Sequence, residues 1–547
     1  MQLWQRFTAG IGALPASRVT WSLVILFSVW VLLDVFVLKL TGGLAQSSYD
    51  AMVRARIFVA APDPRIVIID IDEASLARMG KEFGRWPWPR DTLATVLAHV
   101  ERQQPAAVVW DILFSDADRL SPGGDAAFNQ AVHQSQRSHF SVVRLPKAND
   151  GASHITALAL PGLWVNTSVR PVPTAAPVSP MTLALIPPAL PAVAAGRLGY
   201  NNGYVDSDGV LRRYRYLEPL NDGTAIQSIA LSVASSVNPQ AQQDILSRSA
   251  GASKPLDELI TWRRKAGAYE HLSFADVFAQ AEGDKPLAAV PRFAGKLVII
   301  GSTAPSLHDI HPTPLSSMQA GVDSLATVVD NALNQRSMRE LPRWLQAGLA
   351  IALCAGLALW VQFKSAASLA PALLVLPAVL LGISYVSLNG TPVFVDLHLA
   401  AGLALLFLTV LRYWSTLRRN HWCSPLADSA QPIAIWPWER EGAWLEASLD
   451  RLIDAVERHA PTCRVVVCDA PASDLRWPEL ARFAAVVGPQ VALLTARARL
   501  EPVLLRLAQR CGEPQLLPAP LARKEMAREI LVAWAKLQDA EVKTKDR

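Results

Sequence analysis

Four runs of this sequence are too long and too apolar to belong to an ordinary globular core. They are VTWSLVILFSVWVLLDVFVLKL (19–40), LQAGLAIALCAGLALWVQF (345–363), SLAPALLVLPAVLLGISYVSL (368–388) and VDLHLAAGLALLFLTVLRYW (395–414). A helix needs about 20 predominantly apolar residues to cross a hydrocarbon core roughly 30 Å thick. The sequence therefore predicts four membrane spans, at residues 19–41, 342–363, 366–388 and 393–414. GGLA at 42–45 is a passable cleavage sequence for a signal peptide, but the first apolar run is long for one, which favours an uncleaved anchor. Residues 1–18 then form a short N-terminal segment, 42–341 a domain between the first and second spans, and 415–547 a domain after the fourth.

Lysine and arginine near the span ends set the expected orientation. Arg6 and Arg18 precede the first span, Lys364 lies between the second and third, and Arg418 and Arg419 follow the fourth. NGTPVFVD, between the third and fourth, carries no basic residue. Both termini are expected in the cytoplasm and residues 42–341 outside. Lys39, Arg339 and Arg343 oppose this, but they border a long domain, and such domains obey the charge rule poorly. The cysteines agree: Cys354, Cys423, Cys463, Cys468 and Cys511 all fall in a span or after it, which suits a reducing cytosol for residues 415–547. A net charge of +5 without a basic stripe argues against a nucleic-acid partner. Asp34, inside the first span, lies close to its outer end, where pairing or snorkelling is expected.

Residues 42–341 read as an α/β domain. RIVIIDID (65–72), PAAVVWDILF (105–114), HFSVVRL (139–145) and LVIIGST (297–303) are strands, the first and last fully buried, and EASLARMG (73–80) and RDTLATVLAHVERQ (90–103) are helices. Such alternation implies a sheet with helices on its faces, and ligands of such sheets bind beyond the carboxyl ends of the strands. Asp70, Asp72, Glu73, Asp111, Ser302 and Thr303 fall at or near those ends. The competing reading is that these acids cap helices or hold an arginine. The loop GRWPWPR (84–90) lies beside them; its prolines make it rigid. Arg85 and Arg90 are long enough to reach Asp70, Asp72 or Asp111. Of the alternating Trp86 and Trp88, one can pack inward while the other faces a ligand, so the loop reads as a plug or as a site. Asp-Gly in VDSDGVLRRYRYL (205–217) predicts a tight turn between two strand-like runs. No spacing specifies a metal, and no cofactor is assigned.

RIVIIDIDEASLARMG, GRWPWPR, PAAVVWDILFSD, GYVDSDGVLRRYRY, LVIIGSTAPSLHDIHPTPL and AGVDSLATVVDNAL, in that order, resemble successive elements of the CHASE type-2 domain. The resemblance covers residues 45–337 and implies an extracytoplasmic sensory module of bacterial inner-membrane receptors, with the three further spans that usually follow it. One departure is visible: the GVE-like element reads Gly321-Val322-Asp323, and the family's downstream histidine and asparagine are Leu325 and Thr327.

After the fourth span the sequence reads as strands at 432–438, 463–471 and 490–496 with helices at 441–460, 477–487 and 499–511. The second half resembles a degenerate response-regulator receiver. Asp469 stands at the phosphoacceptor position and Thr495 at the switch hydroxyl, but the lysine position is Ala519 and the first strand's acidic pair is Trp436-Pro437. Without those acids a magnesium ion has no ligands, so phosphotransfer and other catalysis are not expected.

The expected architecture is thus an α/β periplasmic sensory domain, a transmembrane bundle of four spans and a small α/β cytoplasmic domain. The expected function is that of an inner-membrane receptor whose cytoplasmic module relays a signal by protein interaction. The alternative is a structural subunit of an envelope complex. The implied partners are the lipid bilayer and a cytoplasmic signalling protein or envelope subunits, with a homodimer left open.

Overall fold

The computed structural model describes residues 11, 14–118, 121–156, 159–166, 182–220, 224–249, 255–263, 267–283, 292–363, 369, 371–423, 433–437, 492–496 and 515–517. The chain divides into two compact units, one of which is Gln46–Leu341 together with Tyr385–Val395. That unit follows the chain as β1 (Ile66–Asp70), α1 (Glu73–Phe83), α2 (Arg90–Glu101), β2 (Ala107–Trp110), α3 (Pro122–Gln134), β3 (Ser138–Arg144), β4 (Trp164–Asn166), β5 (Leu185–Ile186), β6 (Arg197–Tyr200), β7 (Arg213–Pro219) and β8 (Thr224–Gln227). It continues as α4 (Ile229–Val237), α5 (Pro239–Ser249), β9 (Leu256–Leu259), β10 (Glu270–Ser273), α6 (Phe274–Ala281), β11 (Leu297–Gly301) and α7 (Gly321–Leu333).

The four expected strands, β1, β2, β3 and β11, lie in a parallel sheet of order β10-β1-β11-β2-β3-β6, whose β6 and β10 were not foreseen, and β5 pairs antiparallel with the end of β3. Every residue of β1, β2 and β11 is buried, as continuous β-branched runs covered on both faces must be. Successive side chains alternate between two cores. Ile66, Ile68, Val109 and Ile299 pack with α4 and α7, whereas Val67, Ile69, Trp110 and Ile300 pack with α2 and α6. A second, antiparallel sheet of order β4-β8-β7-β9 was not foreseen. Gly199 in β6 lets α4 approach, because a Cβ there would overlap the backbone of Ile229.

The Asp-Gly turn forms at Asp206–Gly209, with Gly209 at φ +81° and its N–H donating to the Asp206 carbonyl at 2.9 Å. Its acids serve arginines. Arg212, fully buried, donates to both carboxylate oxygens of Asp50 (2.8 and 2.7 Å) and of Asp208 (2.8 and 2.7 Å), and to Asp206 at 3.1 Å.

The segment between the third and fourth apolar helices also belongs to this unit. Arg339–Glu340 pairs in parallel with Val393–Phe394, the Tyr385 hydroxyl donates to the Ala55 carbonyl (2.6 Å), and Phe394 packs edge-to-face on Tyr49 in the core. The domain expected at 42–341 is therefore completed by residues 385–395.

Four helices, Ala16–Leu38, Arg343–Gln362, Ala372–Gly390 and His398–His421, are long and apolar enough to cross a membrane. Phe27 meets Phe407 edge-to-face, and the Gln362 amide donates to the Thr20 hydroxyl at 3.0 Å. Asp34 is buried and accepts from the Leu40 N–H at 2.7 Å and from the Thr41 hydroxyl, so it caps the turn that ends the first helix.

At the C-terminal end, Ile433–Pro437 lies between Ala492–Ala496 and Gln515–Leu517 and pairs antiparallel with both. This corrects the receiver resemblance, because the open sheet of that fold is parallel and strands in one direction need a crossover between them. Asp469 lies outside the described residues.

Replacing Arg212 by Met should leave the carboxylates of Asp50 and Asp208 facing one another without their shared cation, with Asp206 still held by Arg213. Breaking a buried ion pair from one side costs about 3–5 kcal/mol. The melting temperature of the full chain in detergent should fall by on the order of 10 °C.

Candidate functional site

A cleft of about 480 Å³ opens at the carboxyl end of the parallel sheet. Its floor comes from the residues that follow the strands: Ile71 after β1, Asp111 and Ile112 after β2, Asn201 and Asn202 after β6, Ser302 after β11, with Ser141 and Val143 from β3. The first turns of α7 close one side through Gly321, Ser324, Leu325 and Val328, and Trp86 and Pro87 close another. Asp309 and His311 stand at its edge. The Gly321 N–H donates to the Asp309 carbonyl at 2.9 Å, and the Asp309 carboxylate occupies the space a Cβ at Gly321 would take, so a larger residue there would push that carboxylate away from the start of the helix.

Of the ten residues expected at a ligand site, three line this cleft: Trp86, Asp111 and Ser302. The Asp111 carboxylate accepts from the Asn201 amide at 2.8 Å. Burial pushes its carboxyl up to about 7; the Asp309 charge adds to this, while the Asn201 hydrogen bond and His311 act in the opposite sense. The His311 imidazole is raised by Asp309, whose carboxylate is 3.5 Å away, against the cost of burial. Ser302 donates to the Ile71 carbonyl at 2.8 Å.

The other seven are placed elsewhere. Asp72 is the N-cap of α1, accepting from the Ser75 N–H at 2.7 Å, and Glu73 accepts from the Ser306 N–H at 3.1 Å. Arg90 does not reach the strand-end acids; it pairs with Asp125 of α3 and lies over the Phe114 ring. Arg85 is exposed and does not reach those acids either. Trp88 is buried against Phe274, with Trp86 edge-on to it at a centroid distance of 5.0 Å. The loop is thus a plug at Trp88 and a cleft wall at Trp86, and the Trp86–Pro87 bond is cis.

Asp70 and Thr303 form a brace beside the cleft. Asp70 accepts from the Thr303 N–H at 2.9 Å and its hydroxyl at 2.6 Å, and from His271 Nδ1 at 3.0 Å; His271 Nε2 reaches Asp323 of α7 at 3.1 Å. Burial works against charge on His271, but the hydrogen bonds and charges of Asp323 and Asp70 outweigh it and hold the imidazole up to about 9. The departures from the family pattern divide in the same way. Leu325 lines the cleft, and the Thr327 hydroxyl turns back to the Asp323 carbonyl at 2.9 Å.

Sequence reasoning missed His271, Asn201, Asn202, Asp309 and His311. HDIHPTPL carried the last two, but only as a marker of resemblance. Among the described residues no cluster of three or more histidine, cysteine or acidic side chains is arranged to hold a metal ion.

The CHASE2 domain family matches residues 23–360. The chain belongs to the CHASE2 family. CHASE2 is an extracytoplasmic sensory domain family, and the match takes in the whole α/β run from β1 to α7. No curated protein and no solved structure matches the chain.

Two outcomes follow. Trp88→Ala should cost about 3–5 kcal/mol, as truncation of a fully packed aromatic does, whereas Trp86→Ala, which removes a half-buried ring edge-on to Trp88, should lower the melting temperature clearly less. His271 has a folded pKa above its ordinary value near 6.5, so its stabilisation is complete below that pH and is lost as pH rises through about 9. The Asp111 contribution is constant above about pH 7. Melting temperature measured from pH 7 to pH 9, below the range in which tyrosines ionise, should therefore fall by an equivalent of about 2 kcal/mol from His271, with His311 acting in the same sense, and His271→Gln should remove most of that slope.

Proposed function

We propose that the CHASE2 protein is a multi-pass receptor of the bacterial inner membrane, with both termini in the cytoplasm and the α/β unit outside. A small molecule binds in the strand-end cleft, and residues 415–547 relay the change to a cytoplasmic partner by protein interaction rather than catalysis. The observation that carries this reading is the cleft itself. It lies where the parallel sheet directs ligands, and it is enclosed by a glycine-started helix and a rigid aromatic loop. The four apolar helices and the absence of basic residues from NGTPVFVD support the orientation. A receptor needs an element that its ligand biases; α7 suits that part because its first turns line the cleft.

Alkaline phosphatase fused after residue 341 should be active and the same enzyme fused after residue 547 inactive, whereas the reverse pattern would overturn the orientation. For ligand binding, a small molecule from a screen should raise the melting temperature of the full chain, and Trp86→Ala should abolish that rise. A screen without any shift, together with stoichiometric co-purification of envelope proteins, would make the domain a docking module instead.

A further inference from the structure

Two carboxylates line the cleft with neither lysine nor arginine beside them, and we propose that its ligand is a small organic cation, an amine carried on an apolar or aromatic body. This rests on the cleft being the ligand site. Neither lysine nor arginine lines it; its ionisable side chains are Asp111, Asp309, His311 and the Tyr214 phenol. The start of a helix ordinarily favours an anion, but at α7 that place is taken by the Asp309 carboxylate against Gly321. Three of the nearby donors are also committed, while the Tyr214 hydroxyl has no hydrogen-bond partner among the described residues. The Asn201 amide is given to Asp111, the Asn202 amide to the Arg144 carbonyl at 2.8 Å, and the Ser302 hydroxyl to the Ile71 carbonyl. A carboxylate or phosphate would meet two acids, and the one imidazole in the lining, His311, already faces the Asp309 carboxylate.

A second observation points to a missing partner. The Ser141 hydroxyl is 6% exposed on a strand that forms the cleft floor, and it has no hydrogen-bond partner among the described residues. A buried hydroxyl left unpaired costs free energy that a ligand N–H recovers. An ammonium offers three such donors and so satisfies Ser141 and a carboxylate together. Its charge favours the ionised form of Asp111, which burial otherwise drives toward neutrality. The remaining walls suit the body of such a molecule. Trp86 presents an indole for stacking or for the cation, and Leu113, Leu325 and Val328 are apolar. The volume falls in the range of small-molecule sites.

The test uses the full chain in lipid nanodiscs and equilibrium dialysis against 2-phenylethylamine, the neutral 2-phenylethanol and the anionic 3-phenylpropionate. The amine should bind at least about tenfold more tightly than either analogue, a single charge-assisted contact being worth about that much. Asp309→Asn and Asp111→Asn should each remove most of the preference. Asp309 is half-exposed, so Asp309→Asn decides the matter if Asp111→Asn fails to fold. If the alcohol or the carboxylate binds as tightly as the amine, and Trp86→Ala weakens it, the cation is overturned while the cleft remains the ligand site. If none of the three shows binding that Trp86→Ala changes, both readings fall together.

Discussion

Asp330 has no exposed surface, and a carboxylate in that position is tolerated only if the surrounding chain supplies its partners. Arg263 comes within 2.6 Å, the Tyr269 hydroxyl donates at 2.9 Å, the Asp63 N–H at 3.0 Å and the Asn334 amide at 2.9 Å. Those partners come from the lead into β1, the segment after β9, the approach to β10 and the end of α7. One buried carboxylate therefore ties α7 to two segments far from it in sequence, the lead into β1 and the chain between β9 and β10. Two helical turns earlier Asp323 does the same through His271 and Asp70. Residues seven apart lie on one face of a helix, so α7 is tied to the sheet at two heights.

The cleft is a consequence of that tie. With α7 held by Asp323 and Asp330, the residues at its start fall over the carboxyl ends of β2, β3 and β11. There the sheet runs out of hydrogen-bonding partners and the chain turns into loops. Trp88 fills the apolar side of this edge and leaves Trp86 as a wall, so the loop spends one indole on folding and the other on the cavity. Asp70 and Asp111 stand on neighbouring strand ends yet do different things. Asp70 is saturated by Thr303 and His271, whereas Asp111 has one amide donor and opens on the cavity.

What was legible in the sequence follows from how much of the physics is local. Continuous β-branched runs such as IVIID and LVIIG, the four apolar runs and the Asp-Gly turn declare themselves within a few residues, and they form strands, long helices and a turn respectively. β10 does not, because EHLS is a four-residue edge strand with a polar, partly exposed face, and His271 was lost with it. The antiparallel sheet was missed because only its β7 strand lay in a run that signalled a strand. Arg90 illustrates a different limit. Its reach allowed the strand-end acids, but the packing of α2 on α3 brought Asp125 closer, a long-range fact that no spacing records. The C-terminal strands were read for position correctly at 433–437 and 492–496, whereas their direction of pairing was not.

The strand formed by Val393 and Phe394 has a practical meaning for handling this domain. Phe394 is 2% exposed, and the backbone groups of Arg339 and Leu341 bond to its stretch of chain. A soluble fragment cut at residue 341 would lose a core aromatic and expose an unpaired strand edge, which invites self-association. The smallest self-sufficient piece must carry 385–395 as well, by a short linker or by circular rearrangement of the chain order. The outer domain is in that sense a discontinuous one, sewn shut by a loop that the hydropathy profile assigns to the membrane region.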